Sequence, residues 1–220
     1  MRVCLASTSP ARLMLMRQAG IEPLLHAPAV DEDAVIAAIE AAESRTLPPE
    51  EHVLLLARRK AADVAASLAA DDPSFDGIVI GGDSMFEIDG RVLGKPHLPE
   101  VATSRWERMR GSTGILHSGH SVIRIAPDAP PREEAAVASA SVTFASDITD
   151  AEIAAYVASG EPLHVAGAFT VDSLGGAFIE RVEGDPSTVV GMSLSTVRRL
   201  CGRLGIRWTD LWNRAGTSPT

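Results

Sequence analysis

The segment IVIGGDSMFEIDGRVLGKP, residues 78–96, decides the fold class of this chain. Residues 78–83 form a short apolar run that ends in two glycines and an acid, a pattern typical of a buried strand. Within FEIDGRVLG, the pair Asp89-Gly90 predicts a tight hairpin. A buried strand that leads into a hairpin indicates a sheet with both parallel and antiparallel pairs.

Strand-like segments and helix-like segments alternate along the rest of the chain. Strands are predicted at residues 3–6, 21–27, 78–83, 115–125, 136–145, 164–169 and 177–181. Helices are predicted at residues 10–19, 49–69, 99–109 and 193–204, with another that begins at a Thr149 or Asp150 cap. The proline-rich stretch APDAPPREE, residues 126–134, is predicted as a surface loop. This alternation predicts an α/β fold with a mixed sheet, in one large domain or two lobes that share the sheet.

Composition limits the classes of function. The chain has 220 residues, 45% of them hydrophobic, and a formal net charge of −9. This charge and the 4% aromatic content argue against nucleic acid as a partner, and the charge also argues against an anionic membrane. No apolar run approaches the roughly 18 residues of a membrane span, so a cytoplasmic protein is expected. Cys4 and Cys201 are expected to be reduced, buried core residues.

The segment LASTSPARLMLMRQAG, residues 5–20, predicts a capped helix directly after the first strand. Ser9 suits the N-cap and Pro10 the first helical position, so the backbone N–H groups of this turn face whatever lies in front of them. Arg12 then falls in the first turn, where the helix dipole disfavours it by up to about 1 kcal/mol. Arg12 is either an ordinary solvent-facing residue or one that a bound phosphate compensates.

Lys60 interrupts the apolar face of the helix predicted at 49–69. The apolar residues that share its face are Val53, Leu56, Ala57 and Val64. A lysine in this position either extends its ammonium group to water or lies at the floor of a cleft.

Two acidic residues, one lysine and one histidine pair complete the candidates for a ligand or metal site. Asp83 follows the two glycines, where a carboxylate can meet a ligand or a metal, although a turn residue is the plain alternative. Lys95 lies in the next turn, and Glu32 lies in an acidic run that a solvated helix start also explains. His117 and His120 are three residues apart in a predicted strand and therefore face opposite sides, so joint metal ligation is not expected.

Several ordered blocks resemble the Maf family of nucleoside triphosphate pyrophosphatases. The blocks are LASTSPAR, VDED, the Lys60-Ala61 pair, GGDS, VLGKP, YVASGEPL, VAGAF and EGDPSTVVGMSL, and they extend over roughly residues 3–204. The wording LHVAGAF and RVEGDPSTVVG resembles an actinobacterial-type branch. The resemblance implies a single Maf-like domain, placed at residues 1–208. The terminal segment 209–220 is expected to be a flexible tail, with Trp208 and Trp212 as the residues that could pin its first half. The implied fold is like that of the Maf and inosine triphosphatase group, a mixed twisted sheet flanked by helices with two lobes around a deep cleft.

The resemblance also implies hydrolysis of a nucleoside triphosphate to the monophosphate and pyrophosphate, assisted by magnesium or manganese. By position, Asp83 matches the family's proton acceptor and Glu32 its acidic residue near the metal and phosphates. The positions that match phosphate-handling residues are Lys60, Lys95, Ser7, Ser9 and Arg12. We expect Glu32, with Asp83, to hold the metal, and the division between base and metal ligand can be the reverse. The resemblance alone suggests a homodimer.

The sequence differs from the common family sequence at positions that bear on the choice of substrate. Ala11 stands where many members carry a first arginine, and Gly114 stands where some carry a histidine. Where members with a uridine or thymidine preference read DKAGAYGIQG, this chain reads HVAGAFTVDS, so Asp172 replaces a glutamine. An ionised aspartate only accepts hydrogen bonds. The pyrimidine preference is therefore not carried over, and a guanine-like base, including 7-methylguanine, is the alternative for Asp172.

A second class of function stays open at this point. The family is also associated with arrest of septum formation, so a nucleotide-binding regulatory protein without turnover is the alternative. The presence of Asp83, Glu32, Lys60 and Lys95 favours turnover.

Overall fold

The computed structural model describes residues 1–214 and contains seven strands and seven α-helices in that range. The strands are β1 (Arg2–Ala6), β2 (Leu24–Leu25), β3 (Gly77–Ile88), β4 (Arg91–Leu93), β5 (Thr113–Ala126), β6 (Ala129–Phe144) and β7 (Ile179–Glu183). The helices are α1 (Pro10–Gln18), α2 (Glu32–Glu43), α3 (Pro49–Asp71), α4 (Pro99–Met109), α5 (Asp150–Ala158), α6 (Pro186–Val190) and α7 (Leu194–Arg203). Short 3-10 helices occur at Glu161–His164, Ala166–Ala168, Leu174–Phe178 and Trp208–Leu211.

The seven strands form one mixed sheet, as the sequence predicts. Its order is β2-β1-β3-β5-β6-β7, and β4 pairs with β3 beside this path. β1 is parallel to both β2 and β3, whereas the pairs β3·β4 and β6·β7 are antiparallel. The hairpin predicted at Asp89-Gly90 joins β3 to β4, with Phe86 opposite Leu93. The mixed α/β class is thereby confirmed.

The chain divides into two compact units. The first contains residues 1–83, 118–138 and the described residues from 191 onward, and the second contains residues 84–117 and 139–190. The first has an aliphatic core, which includes Cys4, Ala61, Val64, Val79 and Ile123. The second has an aromatic core whose rings meet edge to face, among them Phe86, Trp106, Phe144, Tyr156 and Phe169.

Glycines allow helix α3 to lie directly on two strands of the first unit. A Cβ at Gly81 of β3 would collide with the Ala57 carbonyl oxygen, and one at Gly119 of β5 would collide with the Val53 carbonyl oxygen. The backbones approach this closely only because both residues lack a side chain. As a result, the inner face of α3 packs directly against β3 beside Gly81.

Four local predictions are wrong. Residues 126–134 are not a loop, because β6 begins at Ala129 and only residues 127–128 separate it from β5. Its prolines are tolerated because β7 pairs with β6 only at residues 141–144, far from Pro130 and Pro131. Residues 164–169 form 3-10 turns in place of a strand, with Gly167 at a φ of 73°. The strand predicted at 21–27 is reduced to β2, and β3 extends well past Asp83.

Both cysteines lie in the protein interior. Cys4 and Cys201 are free and buried, as predicted, and burial raises the pKa of Cys4 to about 11 and that of Cys201 to about 12.

The flexible tail is expected from residue 209, but Leu211 is fully buried and the Asn213 N–H donates to the Gly20 carbonyl at 3.1 Å. Residues 215–220 of that expected tail lie outside the described residues.

A further expectation concerned membrane spans. Within residues 1–214, every helix is too short or too polar to cross a membrane.

Candidate functional site

The first compact unit brings six of the predicted site residues into one fold region. They are Ser7, Ser9, Arg12, Glu32, Lys60 and Asp83. The other two, Lys95 and Asp172, belong to the second compact unit.

The turn between β1 and α1 has the cap that the sequence predicts. Ser9 has an extended backbone, and its hydroxyl accepts a hydrogen bond from the Arg12 N–H at 3.4 Å. Ser7 is buried, and its hydroxyl oxygen accepts from the Ser9 N–H at 3.1 Å and from Arg12 Nη1 at 3.3 Å. The first turn of α1 contains no acidic residue. It therefore presents backbone N–H groups, a cap and a guanidinium group, all of which favour an anion.

Arg12 is not an ordinary solvent-facing residue. Its Nε donates to the Gly191 carbonyl at 2.9 Å, and a Cβ at Gly82 would lie 3.2 Å from the same Nε. Burial lowers the pKa of Arg12, while the negative charges of Asp83 and Glu32 act in the opposite direction. The guanidinium group stays cationic because an arginine pKa starts so high.

Lys60 occupies the inner face of α3, as its sequence pattern predicts. The buried residues of this face are Val53, Leu56, Ala57, Lys60, Ala61, Val64 and Ala65. Its ammonium nitrogen Nζ lies 2.7 Å from Asp83 Oδ1 and 2.8 Å from Glu32 Oε1. The side chain is only 9% exposed, so the ammonium group is paired inside the protein and does not extend to water.

Asp83 lies inside strand β3, with its side chain 12% exposed. Burial raises the pKa of this carboxyl group, and the nearby Lys60 and Arg12 only partly offset that effect. Glu32 begins helix α2 after an Asp31 cap, and its side chain is 49% exposed. The two carboxylates thus converge on one ammonium group from a buried strand and from an exposed helix start.

The donor set fits a hard divalent cation that is completed by a ligand. Glu32 and Asp83 each bring a carboxylate oxygen to the Lys60 ammonium group, so the two carboxylates are close together, and oxygen is the ligand that Mg²⁺ and Mn²⁺ prefer. Within residues 1–214 no group of three or more His, Cys, Asp or Glu side chains could hold a metal ion. A cation at these two carboxylates would therefore take its remaining ligands from phosphate oxygens and water, which is the usual mode for Mg²⁺.

The sequence did not reveal the groups that contact the backbone at Asp83 and around Gly191, whose carbonyl accepts from Arg12. The Ser118 hydroxyl lies 3.3 Å from both the Asp83 and the Gly191 carbonyl oxygens. His120 Nε2 accepts from the Ser193 N–H at 2.8 Å. These pairs are separated by up to 73 residues in the chain, so no local pattern reveals them.

His117 has different partners from His120, as the opposite strand faces predict. Its Nε2 lies 3.0 Å from Glu87 Oε2, and its Nδ1 lies 3.1 Å from the Ser139 hydroxyl.

In the second compact unit, Lys95 is exposed and follows the end of β4. Asp172 is also exposed, on the turn that precedes the 3-10 helix Leu174–Phe178. The residues that flank Asp172 converge on one carboxylate, that of Glu161. The donors are the hydroxyls of Tyr156 (2.9 Å), Thr170 (2.5 Å) and Ser173 (2.6 Å) and the backbone N–H groups of Leu174 (3.2 Å) and Gly175 (3.1 Å).

This cluster makes a testable contribution to stability. Burial alone would raise the pKa of Glu161, but the hydrogen bonds from Ser173, Thr170, Tyr156 and Gly175 outweigh it and lower the pKa to about 2. Because the folded-state pKa lies below the unfolded value of 4.5, the stabilisation is fully present above pH 4.5. It is lost as pH falls from 4.5 towards 2.

We expect Glu161→Gln to reduce the free energy of unfolding at pH 7 by about 2–3 kcal/mol. Urea unfolding at a series of pH values measures the effect, and the gap between wild type and Glu161→Gln should shrink between pH 4.5 and pH 2. A gap that stays constant over that range would contradict the assigned hydrogen bonds.

Comparison with known proteins shows which family this chain resembles. A family model described as Maf-like protein matches residues 2–204. A protein of Leifsonia xyli subsp. xyli named nucleoside triphosphate pyrophosphatase is 60% identical, over 99% of this chain and 100% of its own length. Proteins of the same name from Rhodococcus jostii and Mycobacterium sp. (strain JLS) are 50% and 47% identical, over 96% and 97% of this chain and 96% and 99% of their own lengths.

Solved structures match this chain at a lower level. The Staphylococcus aureus Ham1 protein aligns with 66% of this chain and 73% of its own, with a TM-score of 0.31 and 12% identity. A similarity of this size identifies neither fold nor function.

Proposed function

Because this chain belongs to the Maf family, we propose that it is a nucleoside triphosphate pyrophosphatase in which Asp83 is the general base. The single observation that carries the proposal is the cluster in the first compact unit. There a buried lysine contacts two carboxylates, and the charge of the partly buried Arg12 lies close enough to affect Asp83.

The first turn of α1 is the proposed binding site for phosphate groups. The Ser7 and Ser9 hydroxyls and the backbone N–H groups of this turn supply hydrogen-bond donors, and Arg12 supplies a fixed positive charge. A triphosphate carries up to four negative charges, which the net charge of −9 would otherwise repel. Local positive groups are therefore needed at the phosphates.

Asp83 is the proposed group that accepts the proton of the attacking water. The water oxygen forms a bond to the α-phosphorus, the bond from that phosphorus to the bridging oxygen breaks, and pyrophosphate leaves. The raised pKa of Asp83 suits a base, because a carboxylate of higher pKa binds the proton more strongly. Lys60 orients this carboxylate through the 2.7 Å contact.

The remaining predicted groups take the following proposed roles. Glu32 and Asp83 would hold Mg²⁺ or Mn²⁺, which would supply Lewis acidity toward phosphate oxygens when bound. Lys95 neutralises charge on the departing pyrophosphate, and Asp172 accepts hydrogen bonds from the base. A cytoplasmic location, a homodimer and the absence of nucleic-acid and membrane partners remain proposals of the same kind.

The test is pyrophosphate release from a panel of ordinary and modified nucleoside triphosphates, including GTP, 7-methyl-GTP, UTP and dTTP. With Mg²⁺ or Mn²⁺ the purified protein should convert at least one of them to the monophosphate and pyrophosphate. Excess EDTA should reduce the rate at least about 100-fold. If every nucleotide is left intact with every divalent metal, the enzyme proposal fails, and tight binding without turnover would support the regulatory alternative.

A further inference from the structure

We propose that Glu161 is a positioning residue for substrate recognition, because its carboxylate fixes the turn that presents Asp172. This turn, residues 170–175, is called the Asp172 turn below. The inference rests on the proposed function, since it assigns Asp172 to the nucleobase. Its structural part is independent of turnover.

The Asp172 turn is held by one carboxylate at both of its ends. Thr170 and Ser173 donate through their hydroxyls, at 2.5 and 2.6 Å, and Leu174 and Gly175 donate through backbone N–H groups. The Gly175 N–H also donates to the Thr170 hydroxyl oxygen at 3.3 Å, which closes the turn on itself. The turn is tight, since a Cβ at Gly175 would lie 2.6 Å from the Thr170 carbonyl oxygen. A carboxylate that accepts all four of these donors fixes the backbone on both sides of Asp172.

Glu161 is itself fixed to the aromatic core of the second unit. It accepts from the Tyr156 hydroxyl at 2.9 Å. The ring of Tyr156 is 4% exposed and packs against Trp106 and Phe178, at centroid distances of 5.2 and 5.6 Å. The carboxylate therefore connects a rigid core to an exposed turn.

Two of the four donors are absent from the DKAGAYGIQG sequence of members with a uridine or thymidine preference. Thr170 and Ser173 stand where the DKAGAYGIQG wording has glycine, and Asp172 stands where it has glutamine. A glycine supplies no hydroxyl, so a chain with that wording lacks two of the hydrogen bonds that Glu161 accepts here. The replacement of the glutamine thus coincides with two additional hydrogen bonds that hold its turn.

Asp172 itself remains available to a ligand. It is exposed, and its carboxylate makes no hydrogen bond or ion pair with the other residues in 1–214. An ionised carboxylate accepts hydrogen bonds and donates none, and guanine presents two adjacent N–H donors where uracil presents one. A fixed acceptor discriminates between such edges, whereas a mobile one turns away or admits water.

The experiment removes the two hydroxyls and keeps the shape of the turn, in the variant Thr170→Val/Ser173→Ala of the full chain. Amide hydrogen exchange should accelerate at Leu174 and Gly175, by about tenfold. The kcat/KM value for GTP divided by that for UTP should move about tenfold closer to one. This change should come from the KM values, while kcat changes less than about twofold. Glu161→Gln should give the same pattern with a larger exchange effect.

Thr103→Val/Ser112→Ala is the matched control, since these hydroxyls belong to the same unit and bond only to the nearby Pro99 and Arg108 carbonyls. It should change neither exchange at the Asp172 turn nor the GTP/UTP ratio. Faster exchange with an unchanged ratio would overturn the recognition role, and unchanged exchange would overturn the positioning role. If no nucleotide is hydrolysed, the same ratio is measured as equilibrium binding of GTP and UTP. Absence of binding to either would overturn both this inference and the proposed function.

Discussion

Replacement of Asp83 by asparagine is expected to reduce pyrophosphate release by at least about 1000-fold while the protein stays folded. Asparagine has nearly the same shape, but its amide cannot accept the proton of the attacking water. Lys60 keeps its contact with Glu32, at 2.8 Å, so its ammonium group retains a partner. The loss should therefore be one of chemistry and not of fold.

The measurement is steady-state pyrophosphate release at saturating nucleotide, with circular dichroism and thermal unfolding to monitor the fold. The matched control is Asp71→Asn, because Asp71 is exposed at the end of α3 and bonds only to Ser67. The control should retain wild-type turnover. An Asp83→Asn variant that keeps more than a tenth of the wild-type rate would remove Asp83 from the role of base.

Lys60→Met is expected to affect both activity and stability. Lys60 is 7% exposed and neutralises a buried aspartate and a nearby glutamate. Its removal leaves two carboxylates close together, one of them in a poorly solvated position. Breaking such a buried pair typically costs about 3–5 kcal/mol of unfolding free energy. Turnover should fall at least about 100-fold, because Asp83 loses the contact that orients it and the phosphates lose a positive charge.

A double-mutant cycle separates the two effects. The variant Lys60→Met/Asp83→Asn removes both buried charges, so urea unfolding should show it to be more stable than Lys60→Met alone. Arg59→Met is the matched control on the same helix, since Arg59 is exposed there and should change stability by less than about 0.5 kcal/mol. Additive stability effects in the cycle would show that Lys60 and Asp83 are not energetically coupled.

Local sequence patterns singled out the individual candidate residues for clear physical reasons. The Ser9 cap and the position of Arg12 follow from the chemistry of helix ends, which acts over three or four residues. Lys60 stands out because the 3.6-residue period places it on an apolar face. In contrast, the extent of β6 was not predictable, because its prolines are tolerated only where β7 does not reach.

The family resemblance implies one common site for these residues, and the fold shows how the contact between Lys60 and Asp83 arises. Gly81 admits the backbone of α3, and this approach places the Lys60 ammonium group 2.7 Å from Asp83. Neither the collision that Gly81 avoids nor the supporting Ser118 contacts have any local signature, since their partners lie far away in the chain.

The sequence by itself determined the α/β class and the mixed sheet, and it singled out the residues that we propose to handle phosphate, because these depend on periodicity, capping and side-chain chemistry. Only the tertiary structure decided how far each of these residues is buried and which partners it has. Arg12 is partly buried and bonded to the Gly191 carbonyl, Lys60 is buried between two carboxylates, and Glu161 accepts the hydrogen bonds of the Asp172 turn. Burial and long-range pairing fix the charge state and orientation of a side chain, and both arise from segments that meet only when the chain has folded.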